Sequence, residues 1–126
     1  MRTIRYTRQP DNYGCGPTAI INALKWAGAR ATLKTHYRPL VIKCKAKDPD
    51  GPEFSGTTQK NFQRSLVYAS KNHFKVTALE YPTVKKISKE LEVGNAVILL
   101  HFNKDGTTHY TLIIGKNDEE FTVRLS

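Results

Sequence analysis

The spacing of apolar residues changes along the chain, from a helical repeat early on to a repeat of two near the end. An apolar face with 3.6-residue spacing predicts a helix over residues 17–27. Its members are Ala19, Ile20, Ala23, Leu24 and Ala27. Pro17 suits the first helical position, where its missing N–H costs nothing, and Gly28 is typical of the residue just after a helix end.

Two further helices are predicted, each after a threonine that can cap it. One follows Thr57 or Thr58 and continues to residue 72. Its inward-facing residues are expected to be Phe62, Leu66 and Ala69. The other covers residues 84–92, after Thr83 and before a glycine.

Prolines and glycines interrupt the pattern between residues 38 and 56, which predicts a long irregular segment with a short strand at residues 40–43. Alternation predicts a strand in "FKVTALEY", residues 74–81. Three strands follow, "AVILLHF", "HYTLIIG" and "EFTVRL", joined by the turns "NKDGT" and "KNDE". Helices followed by consecutive strands predict an α+β fold, and we expect residues 1–126 to form a single domain.

Length and composition fit one soluble domain of 126 residues, 39% of them hydrophobic and 25% charged. No apolar run approaches the ~20 residues that cross a bilayer, and the basic N-terminus lacks the apolar stretch of a signal peptide. Two cysteines do not make the disulfide framework of small secreted proteins. We therefore expect no membrane span, a cytoplasmic location and free thiols.

The net charge of +9 comes from 20 lysines and arginines against 11 aspartates and glutamates. Such an excess favours an acidic partner, either an acidic protein or a nucleic acid, bound through a basic surface. The alternative is that the lysines only keep helix faces solvated. No RNA-binding or zinc-finger motif accompanies the charge, so nucleic acid is the secondary hypothesis. The sequence does not decide the oligomeric state.

Cys15 lies between Gly14 and Gly16, directly before the first predicted helix. A thiol is a nucleophile only as thiolate, so its ordinary pKa of ~8.5 has to be lowered. A helix N-terminus supplies part of this through roughly half a positive charge. The glycines allow close backbone approach, and the Cys15 N–H is placed to face a developing oxyanion. Cys15 is therefore a candidate nucleophile, and the alternative is a small buried residue at a turn.

A cysteine nucleophile also needs an imidazole to take its proton. His36 and His73 lie in basic, polar surroundings and are expected at the surface. His101 ends a predicted strand and is a candidate for partial burial, whereas His109 opens the next strand, where a rigidly held ring can meet a helix N-terminus. This position favours His109, although a core cysteine and an unrelated histidine would explain the same residues.

Cys44 lies in "VIKCKAK", without glycines or a helix start, and is expected to be a partly buried structural thiol. A zinc site is conceivable, but no paired ligand spacing supports it. Its ligands would be Cys15, Cys44, His101 and His109. We therefore predict neither a metal nor a cofactor.

The stretch "QPDNYGCGPTAIINAL" resembles the active-site opening of papain-like cysteine peptidases, of the bacteriocin-leader-processing type found at the head of ABC transporters. In that family a glutamine stands six residues before the nucleophile, as Gln9 does before Cys15. A glycine-led strand and a strand that opens with His-Tyr follow later, as "GNAVIL" and "HYTLIIG" do here. The resemblance covers both ends of the chain, and residues 33–72 are not specifically matched.

The resemblance implies a papain-like fold, in which the helix that carries the nucleophile packs on a C-terminal antiparallel sheet. It implies that Cys15 is the nucleophile, His109 the general base and Gln9 a side-chain donor to the oxyanion hole. The implied activity is hydrolysis of a peptide or isopeptide bond in a peptide or protein substrate, through a thioester.

One part of the family pattern is not evident. The family orients its histidine with an aspartate or asparagine shortly after the next strand, where this chain has Val123 to Ser126. Asn117 and Asp118 are expected in the preceding turn, which is too early. The orienting group is absent, comes from elsewhere such as Ser126, or lies in a longer natural protein. The alternative function is therefore a weak or inactive papain-like domain that binds an acidic protein or nucleic acid.

Overall fold

The computed structural model describes Arg8, Pro10 and residues 14–45, 57–78, 83–102, 108–117 and 120–125. Within these residues, four α-helices precede a three-stranded antiparallel sheet, which confirms the α+β class. The helices are α1 (Cys15–Trp26), α2 (Arg38–Cys44), α3 (Gln59–Ala69) and α4 (Val84–Glu92), with a π-helical segment at Leu33–Tyr37 before α2. The strands are β1 (Val97–Phe102), β2 (Thr108–Asn117) and β3 (Glu120–Leu125).

β2 is the central strand of the sheet, between β1 and β3. His101 lies opposite His109 near the start of β2, and the pairing continues to Val97 opposite Ile113. The register between β2 and β3 shifts just after Ile113. The three predicted strands are confirmed, and their order in the sheet follows their order in the chain.

α1 is the central helix of the fold. Every residue from Cys15 to Leu24 is buried, so α1 is covered on all sides rather than along the single face that its periodicity suggested. It packs against β2, α2, α3 and the π-helical segment. Members of the resulting core cluster include Ile20, Ile21, Leu24, Leu40, Phe62, Leu66, Tyr110 and Leu112. Each large apolar side chain buried there contributes about 1.5–3 kcal/mol of transfer free energy.

α1 begins two residues earlier than the sequence suggested. Cys15 is its first residue, and the Thr18 N–H starts the helical ladder by donating to the Gly14 carbonyl at 2.9 Å. Pro17 is therefore the third helical residue, where a missing N–H still costs nothing, because the first four N–H groups of a helix have no intrahelical acceptor. The predicted end is confirmed: Ala27 caps the helix and Gly28 has φ +91°.

The predicted irregular segment with a strand at residues 40–43 is wrong for the part that the structure describes. Residues 33–44 are helical, first as the π-helical segment and then as α2. Pro39 occupies the first turn of α2, where its fixed φ starts a helix instead of interrupting one. Leu40 and Cys44, four residues apart, are both buried on one helix face. Residues 46–56 lie outside the described part of the chain.

The other two helix predictions hold, with one boundary changed. Thr58 caps α3 by accepting the Asn61 N–H at 3.2 Å, and Thr83 caps α4 in the same way. α3 ends at Ala69 instead of residue 72. The Ser70 hydroxyl donates to a carbonyl of the last turn, which competes with continuing the helix.

The strand predicted at residues 74–81 is wrong over residues 74–78, which have no regular structure. Phe74 and Val76 are half-buried and pack against the core cluster. Their alternation therefore reflects a loop that covers the core, since no neighbouring strand pairs with them among the described residues. Residues 79–81 lie outside the described part of the chain.

Tyr110 of β2 ties the sheet to the start of α3. Its ring is buried and stacks on Phe62, with ring centroids 4.0 Å apart and planes at 22°. Its hydroxyl donates a buried hydrogen bond to the Thr57 carbonyl at 2.8 Å. Burial raises the pKa of Tyr110 well above its ordinary value, and any ionisation of the nearby Cys15 and Cys44 thiols would raise it further. Tyr110 is therefore neutral in the folded protein.

Alkaline pH is expected to destabilise the fold through Tyr110 and Cys44, because burial raises the pKa of both groups. The contribution of Tyr110 to stability is fully present below its ordinary pKa of 10.0, and that of Cys44 below 9.0. Each is lost as pH rises from that value through the raised pKa of the folded protein. Urea titrations between about pH 8 and 11 should therefore show the free energy of unfolding falling with pH.

Tyr110→Phe separates the tyrosine's part of this loss. It should cost about 1 kcal/mol at neutral pH, because the hydrogen bond to Thr57 is lost, and should make the alkaline decline shallower. Tyr68→Phe, at a tyrosine that is 55% exposed on α3, is the control and should change neither quantity. Equal alkaline slopes for wild type and Tyr110→Phe would contradict the expectation.

Candidate active site

Cys15 lies where the positive end of the α1 dipole is strongest. It is the first residue of the helix, directly after Gly14 as N-cap, and is 4% exposed. Gly14 itself has no side chain with which to cap the helix. A helix N-terminus stabilises a thiolate beside it, so this position suits a nucleophile, and the role of Cys15 stays a prediction.

Gly16 lets a second segment touch the chain beside the candidate nucleophile. A Cβ at Gly16 would stand 2.5 Å from the Thr57 Oγ1 and 2.8 Å from the Thr57 Cβ, far inside contact distance. Thr57 therefore lies directly against the Gly16 backbone, and only glycine leaves room for it. The glycine after Cys15 is explained by this approach.

Thr57 links the helix that carries the candidate nucleophile to the strand that carries the candidate base. Its side chain lies on Gly16, next to Cys15, while its carbonyl accepts the hydroxyl proton of Tyr110, next to His109. Thr57 itself is 1% exposed. Cys15 is next to Gly16, and His109 is next to Tyr110. Each candidate catalytic residue therefore neighbours a residue that Thr57 contacts.

His109 is the second residue of β2 and is half-buried. Tyr110 and Leu112 belong to the core cluster around α1, so this face of β2 covers the helix. Side chains alternate along a strand, so His109 leaves β2 on the opposite face. The Cys15–His109 pair remains a prediction.

Gln9, the predicted oxyanion-hole donor, lies outside the described residues, so its role also remains a prediction. The structure changes the setting of one candidate orienting residue. Asn117 is the last residue of β2 and pairs with Glu120, whereas the sequence suggested a turn. Asp118 and Ser126 lie outside the described residues.

Cys44 ends α2 and is fully buried, more deeply than the sequence suggested. Burial raises the pKa of its thiol, and the nearby Ser65 and Thr57 hydroxyls and Arg64 offset only part of that rise. Neither hydroxyl has a hydrogen-bond partner within the described part of the chain. Cys44 therefore remains a neutral thiol within the core, as expected of a structural cysteine.

Of the remaining histidines, His36 has a local structural role. The His36 Nδ1 lies 2.7 Å from the Thr35 hydroxyl and accepts the Thr32 N–H at 3.2 Å, which closes the π-helical segment. His73 is exposed, as expected, and the His101 side chain lies outside the described part of the structure. Among the described residues, no group of histidine, cysteine or carboxylate side chains could hold a metal ion.

Sequence reasoning missed the role of Thr57 and of Tyr110. Thr57 was considered only as a helix cap, and its contact with Gly16 joins positions 41 residues apart in the chain. A signal existed for Tyr110, because a tyrosine follows the candidate base in the motif that carries the family resemblance. Its partner, a main-chain carbonyl, has no sequence signature.

Comparison with known families settles what kind of chain this is. The model of the Peptidase_C39 like family matches residues 1–125. The chain belongs to the Peptidase_C39-like family. Its α+β architecture, with α1 packed on a C-terminal antiparallel sheet, agrees with the papain-like fold of that family. No curated protein and no solved structure matches the chain.

Membership confirms the resemblance to papain-like C39 cysteine peptidases and indicates a hydrolase that acts on a peptide or protein. In this C39-like chain, none of the helices in the described residues has the length and apolar character needed to cross a membrane.

Gly16→Ala tests the contact beside Cys15. Alanine normally favours a helix, but here we expect a loss of about 1–3 kcal/mol in the free energy of unfolding, because the new Cβ collides with Thr57. In a Thr57→Ala background the nearest colliding atom is gone, so the loss should be smaller.

Gly94→Ala is the matched control for this double-mutant cycle. A Cβ at Gly94 meets nothing within 4 Å, and its cost comes from the left-handed φ of +91°. Thr57→Ala should leave that cost unchanged. Independent, additive effects of Gly16→Ala and Thr57→Ala would contradict the proposed contact.

Proposed function

We propose that this C39-like chain is a cysteine peptidase that hydrolyses a peptide or isopeptide bond through a thioester. The observation that carries the proposal is the place of Cys15, the first residue of a central helix that packs on β2. His109 lies near the start of that strand, next to Tyr110. Cys15 is close enough to Tyr110 to contribute to its raised pKa. Family membership supports a peptide or protein as substrate.

In the proposed reaction the Cys15 sulfur attacks the carbonyl carbon, and its proton passes to His109. The tetrahedral intermediate directs its oxyanion to the Cys15 backbone N–H and the Gln9 side-chain amide. When the C–N bond breaks, His109 gives the proton to the leaving amine, and a thioester remains. His109 then takes a proton from a water molecule, which attacks the thioester carbonyl carbon. The C–S bond breaks, the sulfur takes the proton from His109, and the acid product leaves.

The sequence motifs suggest the substrate class, and the free thiols suggest the compartment. The opening motif resembles that of bacteriocin-leader-processing peptidases, so we infer that a peptide precursor is the substrate. Both cysteines are free thiols in the described part of the chain. Free thiols suit a reducing compartment, which favours the cytoplasm as the place of the reaction.

Alkylation of Cys15 by iodoacetamide tests the proposed pair. In a Cys44→Ser background only Cys15 reacts, and we expect rapid alkylation to persist well below ~pH 8.5, the ordinary pKa of a thiol. His109→Ala should abolish this low-pH reactivity, because the imidazolium no longer stabilises the thiolate. His73→Ala, at an exposed histidine, is the matched control and should change nothing.

Two outcomes would contradict the pair. In the first, the rate of Cys15 alkylation rises with pH as it does for an ordinary thiol, in wild type and in His109→Ala alike. This is expected if the His109 ring stays on the far face of β2. The other is a Cys15 that alkylates only after unfolding, because a substrate could not reach it either.

Gln9→Ala tests the oxyanion hole separately. Loss of one donor should lower kcat for a cleaved fluorogenic peptide by about 10²–10³-fold, or ~2.7–4 kcal/mol. The alkylation profile of Cys15 should stay unchanged, because alkylation forms no oxyanion. Gln63→Ala, an exposed glutamine on α3, serves as control. If Gln9→Ala and Gln63→Ala retain equal activity, Gln9 is not in the oxyanion hole.

A second candidate function is binding of an acidic partner, without a need for catalysis. The observation that favours it is the composition of the first three helices. Residues 14–45 and 57–78, which contain α1, α2 and α3, include ten lysines and arginines but neither aspartate nor glutamate. Binding of this kind weakens steeply as salt rises.

A further inference from the structure

A groove between α2 and α3 collects part of this positive charge at one place. It is open to solvent, has a volume of about 740 Å³, and is separate from the buried surroundings of Cys15. Its lining residues are Arg38, Pro39, Ile42, Lys43, Lys45 and Arg64, and we call it the α2–α3 groove. Four of these six side chains are cationic.

Two of the cations are held in place by contacts within the helices. The Arg64 Nη2 donates to the Lys43 carbonyl and to the Asn61 Oδ1, both at 3.4 Å. The Lys43 Nζ lies 3.8 Å from the centre of the Tyr68 ring, in a cation–π contact. The charges are therefore partly ordered before any ligand arrives, which lowers the entropy cost of binding.

The groove is not neutralised by the helices that form it. α2 and α3 contain no acidic residue, and neither do the described segments around them, residues 14–45 and 57–78. Like charges gathered on one surface repel one another, so a bound anion gains attraction from all of them. The charge of these helices is therefore complementary to that of a polyanion.

The apolar part of the lining shows what kind of polyanion fits. Ile42 is 69% exposed, the most exposed large hydrophobic residue among those described, and it stands within the ring of cations beside Pro39. An exposed isoleucine favours a ligand that brings an apolar side chain of its own.

Nucleic acid is the less suitable occupant. Binding of single strands depends on aromatic faces on which bases stack. No aromatic residue lines the groove, and the Tyr68 ring of α3 already carries Lys43 on its face. An acidic peptide matches both the cations and the isoleucine.

We propose that the α2–α3 groove binds an acidic peptide segment, with an aliphatic side chain of that segment seated on Ile42 and its carboxylates paired with Arg38, Lys45 and Arg64. The inference does not depend on the proposed peptidase activity.

Fluorescence anisotropy with a labelled peptide tests the proposal. The probe has a leucine flanked on both sides by glutamates, and a second probe has glycine in place of the leucine. The full chain with Cys15→Ser is used, so that cleavage does not consume the probe. Binding of the leucine probe should weaken as salt rises, and Ile42→Ser should weaken it while leaving the glycine probe unaffected.

Charge reversal locates the site. Arg38→Glu combined with Lys45→Glu, both at exposed positions, should raise the Kd for the leucine probe about tenfold or more. Lys85→Glu combined with Lys89→Glu, exposed on α4, changes the net charge equally and should have a much smaller effect. Circular dichroism and thermal melts confirm that each variant is folded.

Three results would overturn the proposal. Equal losses for both double variants would show attraction by net charge alone. Equal binding of the leucine and glycine probes in wild type would remove the role of Ile42. Tighter binding of a single-stranded oligonucleotide of equal charge, lost in Arg38→Glu with Lys45→Glu, would assign the groove to nucleic acid. None of these results bears on Cys15 alkylation, so the peptidase proposal stands or falls separately.

Discussion

The arrangement of the candidate site depends on how closely Thr57 approaches the N-terminus of α1. The Thr57 side chain rests on Gly16 because no Cβ is present there, and the Thr57 carbonyl takes the buried hydroxyl proton of Tyr110. This one residue therefore holds the first turn of α1, the start of α3 and the beginning of β2 together. A larger residue at position 16 would separate the helix that carries Cys15 from the strand that carries His109.

Burial decides what Cys15 needs in order to react. A helix terminus stabilises a charge by up to ~2 kcal/mol in a favourable site, or about 1.5 pKa units. Full burial opposes the charged form of a group by up to about 3–5 pKa units. Cys15 is 4% exposed, so on these general magnitudes the proposed nucleophile needs a positively charged partner in addition to the helix terminus. The proposed chemistry therefore depends on where the His109 ring lies.

Local signals predicted the helices and strands where the segment was strongly periodic or clearly capped. Threonine caps and terminal glycines predicted α4 and the end of α1, and short apolar segments separated by turn residues predicted the three strands. The errors occurred where one signal has two meanings. Pro39 was taken to interrupt structure, but it starts α2, and the alternating residues from Phe74 cover the core without pairing in a sheet.

The sequence by itself determined the α+β class, the family, a cysteine at the N-terminus of the first helix and the excess of positive charge. Each of these follows from neighbouring residues or from composition. Only the tertiary structure decided that Thr57 lies on Gly16, that Tyr110 binds the Thr57 carbonyl, and that Arg38 and Arg64 line one groove. These contacts join segments far apart in the chain. Their geometry follows from how the helices pack on β2, which no local pattern records.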